Sequence, residues 1–494
     1  MTKSYYTKAI DLITEYKLEI IVFVSGALVM IYEMIGSRVL APYLGTSTIV
    51  WTSLIGVIMA SLSLGYYLGG VYADKGANLK FLARVLFFAG LFVLGTTVFS
   101  DLLLSQGIFN GVDIKASTLM YSLMLFAPAS ILLGIVSPYC VKLRMDKLST
   151  SGETVGTLSA ISTMGSIVGT FLAGFYLISY MGTINILFLT SGTLILLSLF
   201  CSPKKDSSKR VLSFFLVLIC VFFYKRITEN LEKKGFIDID TKYNRVRIFD
   251  GKDYLTNRPA RFLKLGAQNA SAMFLDGDDL VYEYGKKFNI FAQLNPQASN
   301  FLVIGGAAYS YPMELMNTLP NATVDVVEID DQLPEIAKEY FSLEDLLGLT
   351  NIPEDARTYL NRNTKEYDVI FMDAFGASKS IPHHLTTKEF VGRIFESLTD
   401  DGLLFANLIA SVEGEKSLFL QSEYLTYKAY FPNVYIISDT NRSTQQLQNI
   451  ILIGVKDENF DDSFLKQISV EIPTSKGLVL TDDFAPVEKF FAKY

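Results

Sequence analysis

Cysteine is nearly absent from this 494-residue chain: Cys140, Cys201 and Cys220 are the only three, and the second half has none. A disulfide framework and a zinc ribbon are thereby excluded from that half. Histidine is scarcer still, with His383 and His384 adjacent in "IPHHLTT", and no cluster of metal-ligand spacing can be built around them. Charged residues make up 19%, against roughly a quarter in an ordinary soluble domain, while 50% of the chain is hydrophobic. Part of the protein therefore leaves water. The net charge of −7 and the lack of a basic cluster in the second half give nucleic acid no electrostatic footprint.

What is abundant is apolar sequence of spanning length, confined to residues 1–226. Runs near 18–37, 49–73, 79–104, 116–141, 154–178 and 183–201 each supply the roughly 20 residues that a bilayer core requires. A seventh run, "VLSFFLVLICVFFY" at 211–224, makes about 21 Å of helix and either crosses or lies in the interface. Lys3, Lys8, Lys17, Lys75, Lys80, Lys142, Arg144, Lys147, Lys204 and Lys205 fall before the first span and in every second loop after it. The alternate loops carry little beyond Arg38 and Lys115. This pattern predicts an integral protein of the plasma or inner membrane, in contact with lipid, with its N-terminus in the cytoplasm. Six crossings return the rest of the chain to the cytoplasm, whereas a seventh exports it. The pair Lys225 and Arg226 favours staying inside. The polar N-terminus, with no small-residue cleavage site, reads as preceding an anchor.

Glu33 and Arg38, in "LVMIYEMIGSRVLAPYLG", are the polar pair within the spans. An intramembrane carboxylate is costly and is a functional candidate, although an internal salt bridge or helix-end anchor explains the pair equally well. Glycines recur at Gly56, Gly65, Gly69 and Gly70 and again at Gly156, Gly165, Gly169 and Gly174, where they let helices approach closely. No internal repeat is evident, but these two segments are the pair to compare.

From about residue 227 the texture changes. Residues 227–295 hold short alternating runs, "IDIDTKYNRVRIFDG", "ARFLKLG" and "SAMFLDGDDLVYEYG", broken by turn residues, which predicts a small antiparallel sheet. Residues 296–494 alternate apolar strands with helices, the pattern of a parallel sheet covered on both faces, which binds ligands at the carboxyl ends of its strands. Acids stand at those ends. The first strand runs into Gly305 and Gly306; the second ends at Glu328, 23 residues after Gly305, about where a nucleoside fold places the acid that meets ribose hydroxyls. The third leads to Asp355 in "EDAR" and the fourth to Asp373 in "YDVIFMDAFGASKS". Asp355, Asp330 and Asp331 serve equally well as helix caps. Ala307 and Ser310 break the Gly-x-Gly-x-x-Gly pattern, which counts against a nicotinamide dehydrogenase and leaves S-adenosyl compounds.

"FLVIGGAAYSYPMELMNTLPNATVDVVEIDDQLPEIAKEYF", "EDAR", "YDVIFMDAF" and "PHHLTTKEF" resemble the spermidine synthase family, the aminopropyltransferases. "SGALVMIYEMIGSRVLAPYLGTSTIVWTSLIGVIMASLSLGYYLGGVYAD" and the closing "LTDDFAPVEKFF" are similar to members fused to a multi-span membrane region. The resemblance implies an α-helical membrane domain followed by a Rossmann-like domain of the S-adenosylmethionine methyltransferase type, with a small antiparallel β-subdomain before it. It implies that Glu328 holds the ribose, Asp355 and Ala356 the adenine, and the Gly305–Gly306 turn the thioadenosyl side. Asp373 would face the sulfonium. Asn244 stands for a glutamine of the family, and Tyr282 or Tyr284 for the tyrosine of its amine channel. S-adenosylmethionine or its decarboxylated form would be the substrate, with a polyamine as second substrate, no metal, and a homodimer by analogy with soluble members.

Two positions depart from the family. Its second aspartate, three residues after the first and placed as a general base, is Gly376 here, and an acid of its glycine loop is Ala308. Three readings follow. Aminopropyl transfer persists with a base supplied by Asp482, Asp483, Glu413 or Glu415. A lyase acts on S-adenosylmethionine by attack of the substrate's own carboxylate, giving methylthioadenosine and a lactone. Or the domain is a nucleoside sensor regulating a membrane transporter. One of the two histidines is a further candidate acid or base, though a loop or lid role suits the adjacent pair better.

Overall fold

The computed structural model describes residues 15–491 apart from 110–111, 146–150, 202–207, 375–380 and 440–441, and apart from the side chains of 208–210, 212, 213 and 216. Lys3, Lys8, Lys147, Lys204, Lys205 and Gly376 lie outside the described residues. Two compact units make up the chain, residues 1–231 and 232–494.

The first unit is helical. Its six long elements are α1 (Lys17–Leu44), α2 (Thr48–Asp74), α3 (Leu79–Ser105), α4 (Ile114–Arg144), α5 (Ser151–Tyr180) and α6 (Thr183–Cys201), each long and apolar enough to cross a membrane. Their ends follow from local chemistry: Asn78 accepts from the Phe81 N–H at 3.0 Å to open α3, and Asp113 accepts from the Lys115 N–H at 2.9 Å to open α4. Polar side chains in the interior are satisfied across helices. The Tyr32 hydroxyl lies 2.9 Å from Thr96 Oγ1 and donates to the Leu125 carbonyl at 3.0 Å, joining α1, α3 and α4. Arg38 Nε donates to Thr183 Oγ1 at 3.4 Å. Glu33 sits five residues earlier, about 140° away around the helix at 100° per residue, and has no hydrogen-bond or ion-pair partner among the described residues.

The seventh apolar run lies within a 25-residue helix, α7 (Ser208–Glu232). Phe214 and Val217 approach Gly192, and Tyr224 meets the Phe188 ring at 5.9 Å, so α7 runs antiparallel along α6. It is therefore not a helix lying across the bundle end.

In the second unit, β1 (Phe236–Asp240), β2 (Arg245–Lys252), β3 (Pro259–Leu265) and β4 (Gln268–Phe274) form an antiparallel sheet in sequence order. The run expected to continue as a strand after β4 instead turns at Leu280 into a short helix, α8 (Glu283–Phe288). Seven further strands form one sheet: β5 (Asn300–Ile304), β6 (Thr323–Val327), β7 (Leu349–Ile352), β8 (Tyr367–Met372), β9 (Leu398–Ala410), β10 (Asn433–Ile437) and β11 (Gln448–Val455). Their spatial order is β10-β11-β9-β8-β5-β6-β7. The pairs among β5 to β9 are parallel, and helices such as α9 (Ser310–Thr318), α10 (Leu333–Tyr340), α11 (Ala356–Arg362), α12 (Lys388–Glu396) and α13 (Leu418–Lys428) connect or cover them. This is the Rossmann-like plan of methyltransferases. At one edge β11 runs antiparallel to both β9 and β10, so the sheet is parallel only from β5 to β9. A ten-residue loop joins β10 to β11. It is too short for a crossover, and a direct return makes neighbours antiparallel.

The order reverses between β5 and β8, the first and fourth strands of the parallel set. A crevice at such a switch point is where open sheets of this kind hold ligands.

The glycines of the helical unit generate a prediction. A Cβ at Gly165 would lie 2.0 Å from the Phe23 carbonyl oxygen, whereas one at Gly156 meets nothing within 4 Å. Gly165→Val is expected to destabilise the unit by about 1–3 kcal/mol through overpacking, and Gly156→Val to leave it within about 0.5 kcal/mol. Thermal unfolding of the full chain in detergent checks the difference.

Candidate active site

Glycine is required where β5 meets β8. Gly305 has φ +94°, and a Cβ there would stand 2.7 Å from the Asp373 carbonyl oxygen. The Asp373 N–H donates to the Ile304 carbonyl at 2.8 Å, and the Gly305 N–H to the Val327 carbonyl at 2.9 Å. Three strand ends, those of β5, β6 and β8, are thus tied together through backbone contacts.

Asp373 follows the last residue of β8. Its Oδ2 accepts from the Tyr284 hydroxyl at 2.9 Å and its Oδ1 from Asn407 Nδ2 at 2.8 Å. Burial pushes the carboxyl up, the two hydrogen bonds pull it down, and the result is a pKa of about 6. Tyr284 comes from the start of α8 and stacks on Tyr282 at 5.9 Å. The Tyr282 hydroxyl is buried with no partner among the described residues, and burial takes its pKa up to about 12.

Asn407, on β9, is a residue that sequence reasoning missed. It sits within "GLLFANLI", and the only signal is a carboxamide in an otherwise apolar buried strand. Because an ionised carboxylate only accepts, Asn407 must turn its Nδ2 to Asp373, which leaves its buried Oδ1 without a partner.

Glu328 follows β6 directly. Its Oε2 accepts from the Gly306 N–H at 2.8 Å and the Ala307 N–H at 3.2 Å, and its Oε1 from the Asp330 N–H at 3.0 Å. Burial raises its pKa against the pull of these donors. The glycine-loop N–H groups that would cradle a pyrophosphate are therefore directed at a carboxylate. Asp330 in turn accepts from the Thr241 hydroxyl, and the Asn244 N–H donates to that same Thr241 oxygen at 2.9 Å, so the β1–β2 turn is fastened beside Glu328. Asp331 pairs with Lys242 at 2.7 Å.

Asp355 caps α11: its Oδ1 accepts from the Thr358 N–H at 3.0 Å. Its Oδ2 lies 2.9 Å from His384 Nε2, a pairing across 29 residues that the sequence does not announce. Burial pushes the carboxyl up, but the Thr358 and His384 contacts outweigh it and hold it below its usual range. Ala356 is buried at the first turn of the same helix.

The remaining candidates lie elsewhere. Asp482 is held by the Arg357 guanidinium and by the Thr387 hydroxyl at 2.7 Å, which keep it below the usual carboxylate range. Arg357 also donates to the His384 carbonyl at 3.0 Å, so "EDAR", "HHLTT" and "LTDDF" are one knot. Asp483 is exposed. Glu413 accepts from the Thr444 hydroxyl at 2.8 Å and lines an open groove with Glu415, Lys416 and Gln445. None of these four acids is bonded to Asp373. Ala308 is fully buried against Val246, Ile248 and Leu263 of the small sheet.

Residues 287–461 match the family described as the spermine/spermidine synthase domain. The match lies within the second unit. A polyamine aminopropyltransferase of Vibrio vulnificus is 29% identical over 199 residues, 39% of this chain and 64% of that protein. One from Lachnospira eligens is 29% identical over 180 residues, 35% of this chain and 58% of that protein. The chain thus spans less than two thirds of the length of these relatives. Among solved structures, a probable spermidine synthase from Corynebacterium glutamicum aligns with TM-score 0.38 at 23% identity, covering 44% of this chain and 80% of that one. The spermidine synthase from Thermotoga maritima aligns with TM-score 0.36 at 16% identity, covering 48% and 80%.

The raised carboxyl of Asp373 has a measurable consequence. The native state holds the Asp373 proton to about pH 6, whereas the ordinary value is 3.8, so ionisation opposes folding. That cost is absent below about pH 4, grows between the two values and is complete above the higher one. Asp373→Asn is expected to raise the unfolding temperature at pH 8 and to lose that advantage near pH 4. A difference that does not change with pH would contradict the assignment.

Proposed function

We propose that the second unit is an aminopropyltransferase on a membrane anchor. It binds an adenosyl sulfonium, decarboxylated S-adenosylmethionine, transfers the aminopropyl group to an amine and releases methylthioadenosine. The observation that carries this reading is Asp373, clamped through both oxygens at the switch point beside the glycine loop. The relatives' printed names, polyamine aminopropyltransferase, support the reaction class.

In this reading Glu328 accepts from the ribose, Asp355 and the backbone at Ala356 meet the adenine edge, and Asp373 faces the sulfonium. The acceptor amine attacks the propyl carbon bound to sulfur. A C–N bond forms, the C–S bond breaks, and its electron pair returns to sulfur, giving a neutral thioether. The ammonium proton must leave for the nitrogen to attack. A carboxyl with a pKa of about 6 is ionised at neutral pH yet basic enough to take that proton, so Asp373 itself is the base. Asp482, ion-paired and held low, is poorly suited to the task.

The prediction is amine-dependent release of methylthioadenosine from the decarboxylated substrate, with kcat/KM falling through an acid limb near pH 6. Asp373→Asn is expected to lower kcat/KM by about 10²–10⁴-fold. Tyr284→Phe removes a hydrogen bond that holds the carboxyl down, and should move the acid limb to higher pH. Methylthioadenosine formed from S-adenosylmethionine with no amine would instead establish the lyase, and binding without turnover the sensor.

We place the unit on the cytoplasmic face, following the lysine and arginine distribution. A seventh crossing by α7 would export residues 232–494. Tyr254 is 96% exposed. With the three native cysteines replaced by alanine, Tyr254→Cys is expected to react with an impermeant maleimide only after cells are permeabilised. Labelling of intact cells would put the domain outside.

A further inference from the structure

The two glycine-rich segments are halves of a repeat. Gly56, Gly65 and Gly69 of α2 recur one hundred positions later as Gly156, Gly165 and Gly169 of α5, with Ala60 recurring as Ala160. Their contacts recur too. A Cβ at Gly65 would strike the Ile131 carbonyl of α4 at 2.2 Å, and one at Gly165 the Phe23 carbonyl of α1 at 2.0 Å. At Gly69 the obstacle is the Ile135 carbonyl at 2.8 Å, and at Gly169 the Ala27 carbonyl at 2.3 Å. In the reverse direction Gly134 of α4 faces the Leu62 carbonyl at 2.6 Å, and Gly26 of α1 faces that of Ser162 at 2.4 Å. One rule relates all six contacts: α1 maps to α4 with 108 added to each number, and α2 to α5 with 100 added.

The remaining packing obeys the same exchange. The α1–α5 and α2–α4 pairs are counterparts, and α3 packs on α6, each the other's counterpart, with Ser191 Oγ donating to the Gly90 carbonyl at 2.8 Å. Three helices per half is an odd number. If the helices span, the second half enters from the opposite face, and the twofold axis lies in the membrane plane. That is the plan of secondary transporters, whose substrate sites lie near the midplane between the repeats.

Matched positions explain packing, so function is sought where the halves differ. Glu33 is such a position: its counterpart under the rule is Val141. It lies about 24 Å along the 28-residue α1, away from both ends. Of the other acids of these helices, Glu19 pairs with Arg144, Asp74 with Lys142 and Asp101 accepts from Tyr43, while Glu153 is exposed in the first turn of α5. The second difference is adjacent. Met34 abuts Gly174 in Leu172–Leu177, a π-helical stretch of α5 whose counterpart in α2 runs past the helix end at Asp74. Such stretches mark functional sites more often than packing ones.

We propose that the helical unit is an inverted-repeat carrier for a small organic ammonium, with Glu33 as the residue that recognises its charge. Glu33 is half-buried, and its neighbours along the helix, "LVMIYEMIG", are apolar; a lone carboxylate in that setting suits an ammonium with a hydrocarbon body. A metal ion needs several oxygen ligands, and no group of three such side chains exists among the described residues. The proposal rests on the six helices spanning the membrane, and is independent of the chemistry assigned to the second unit.

The test is uptake by the full-length protein in vesicles of phosphatidylethanolamine and phosphatidylglycerol, with radiolabelled methylamine, putrescine and spermidine and no adenosyl compound present. Saturable uptake of at least one amine is expected, reduced at least tenfold by Glu33→Gln and kept within about threefold by Glu33→Asp, which retains the charge. Uptake no greater than in protein-free vesicles for all three amines overturns the proposal. So does Glu33→Gln uptake equal to wild type. Should Glu33→Gln not yield folded protein, wild-type uptake that does not saturate or is not competed by unlabelled amine is the overturning result. Because the assay omits the adenosyl substrate, failure here and failure of aminopropyl transfer are separate observations.

Discussion

The approach of Gly305 to Asp373 is the constraint on which the candidate site depends. Two parallel strands end side by side at the point where the sheet reverses its order, and the loop leaving one must pass the carbonyl of the other at a distance that no Cβ allows. Glycine at that single position lets the loop turn with positive φ toward Glu328. Everything else in the crevice is placed by that turn. The Gly306 and Ala307 N–H groups reach Glu328.

The acids are each held by a different kind of group, and the difference sets their chemistry. Glu328 is held by backbone N–H groups, Asp355 by a helix terminus and a histidine, and Asp373 by two neutral side chains. Burial raises both Glu328 and Asp373, the latter to about 6, whereas Asp355 is held below its usual range. A cation brought beside Asp373 would reverse part of that lift, which is the electrostatic rationale for a sulfonium there.

The helical unit is governed by another close approach, between glycine and backbone carbonyl, repeated three times at each of two interfaces between the halves. In a bilayer there is no hydrophobic gain from pressing helices together, so close contact of this kind is what selects one packing over another. Duplicating it produces two halves that pack alike while leaving an unmatched acid in one.

The sequence by itself determined the broad architecture, because its signals are local. Runs of spanning length, alternating strands and helices, and acids at strand ends are each written in a few adjacent residues, and Gly305, Glu328, Asp355 and Asp373 were legible for that reason. Tertiary structure alone decided what depends on residues far apart in the chain. It brought Tyr284 and Asn407 to the two oxygens of Asp373, His384 to Asp355, and Arg357 to Asp482, pairings across 29 to 125 positions. It also turned β11 against its neighbours. The glycine repeat lay in plain view at an offset of one hundred, but letters that match at intervals are weak evidence until their contacts match as well. Side-chain pairing and desolvation are properties of the assembled interior, and no single stretch of chain carries them.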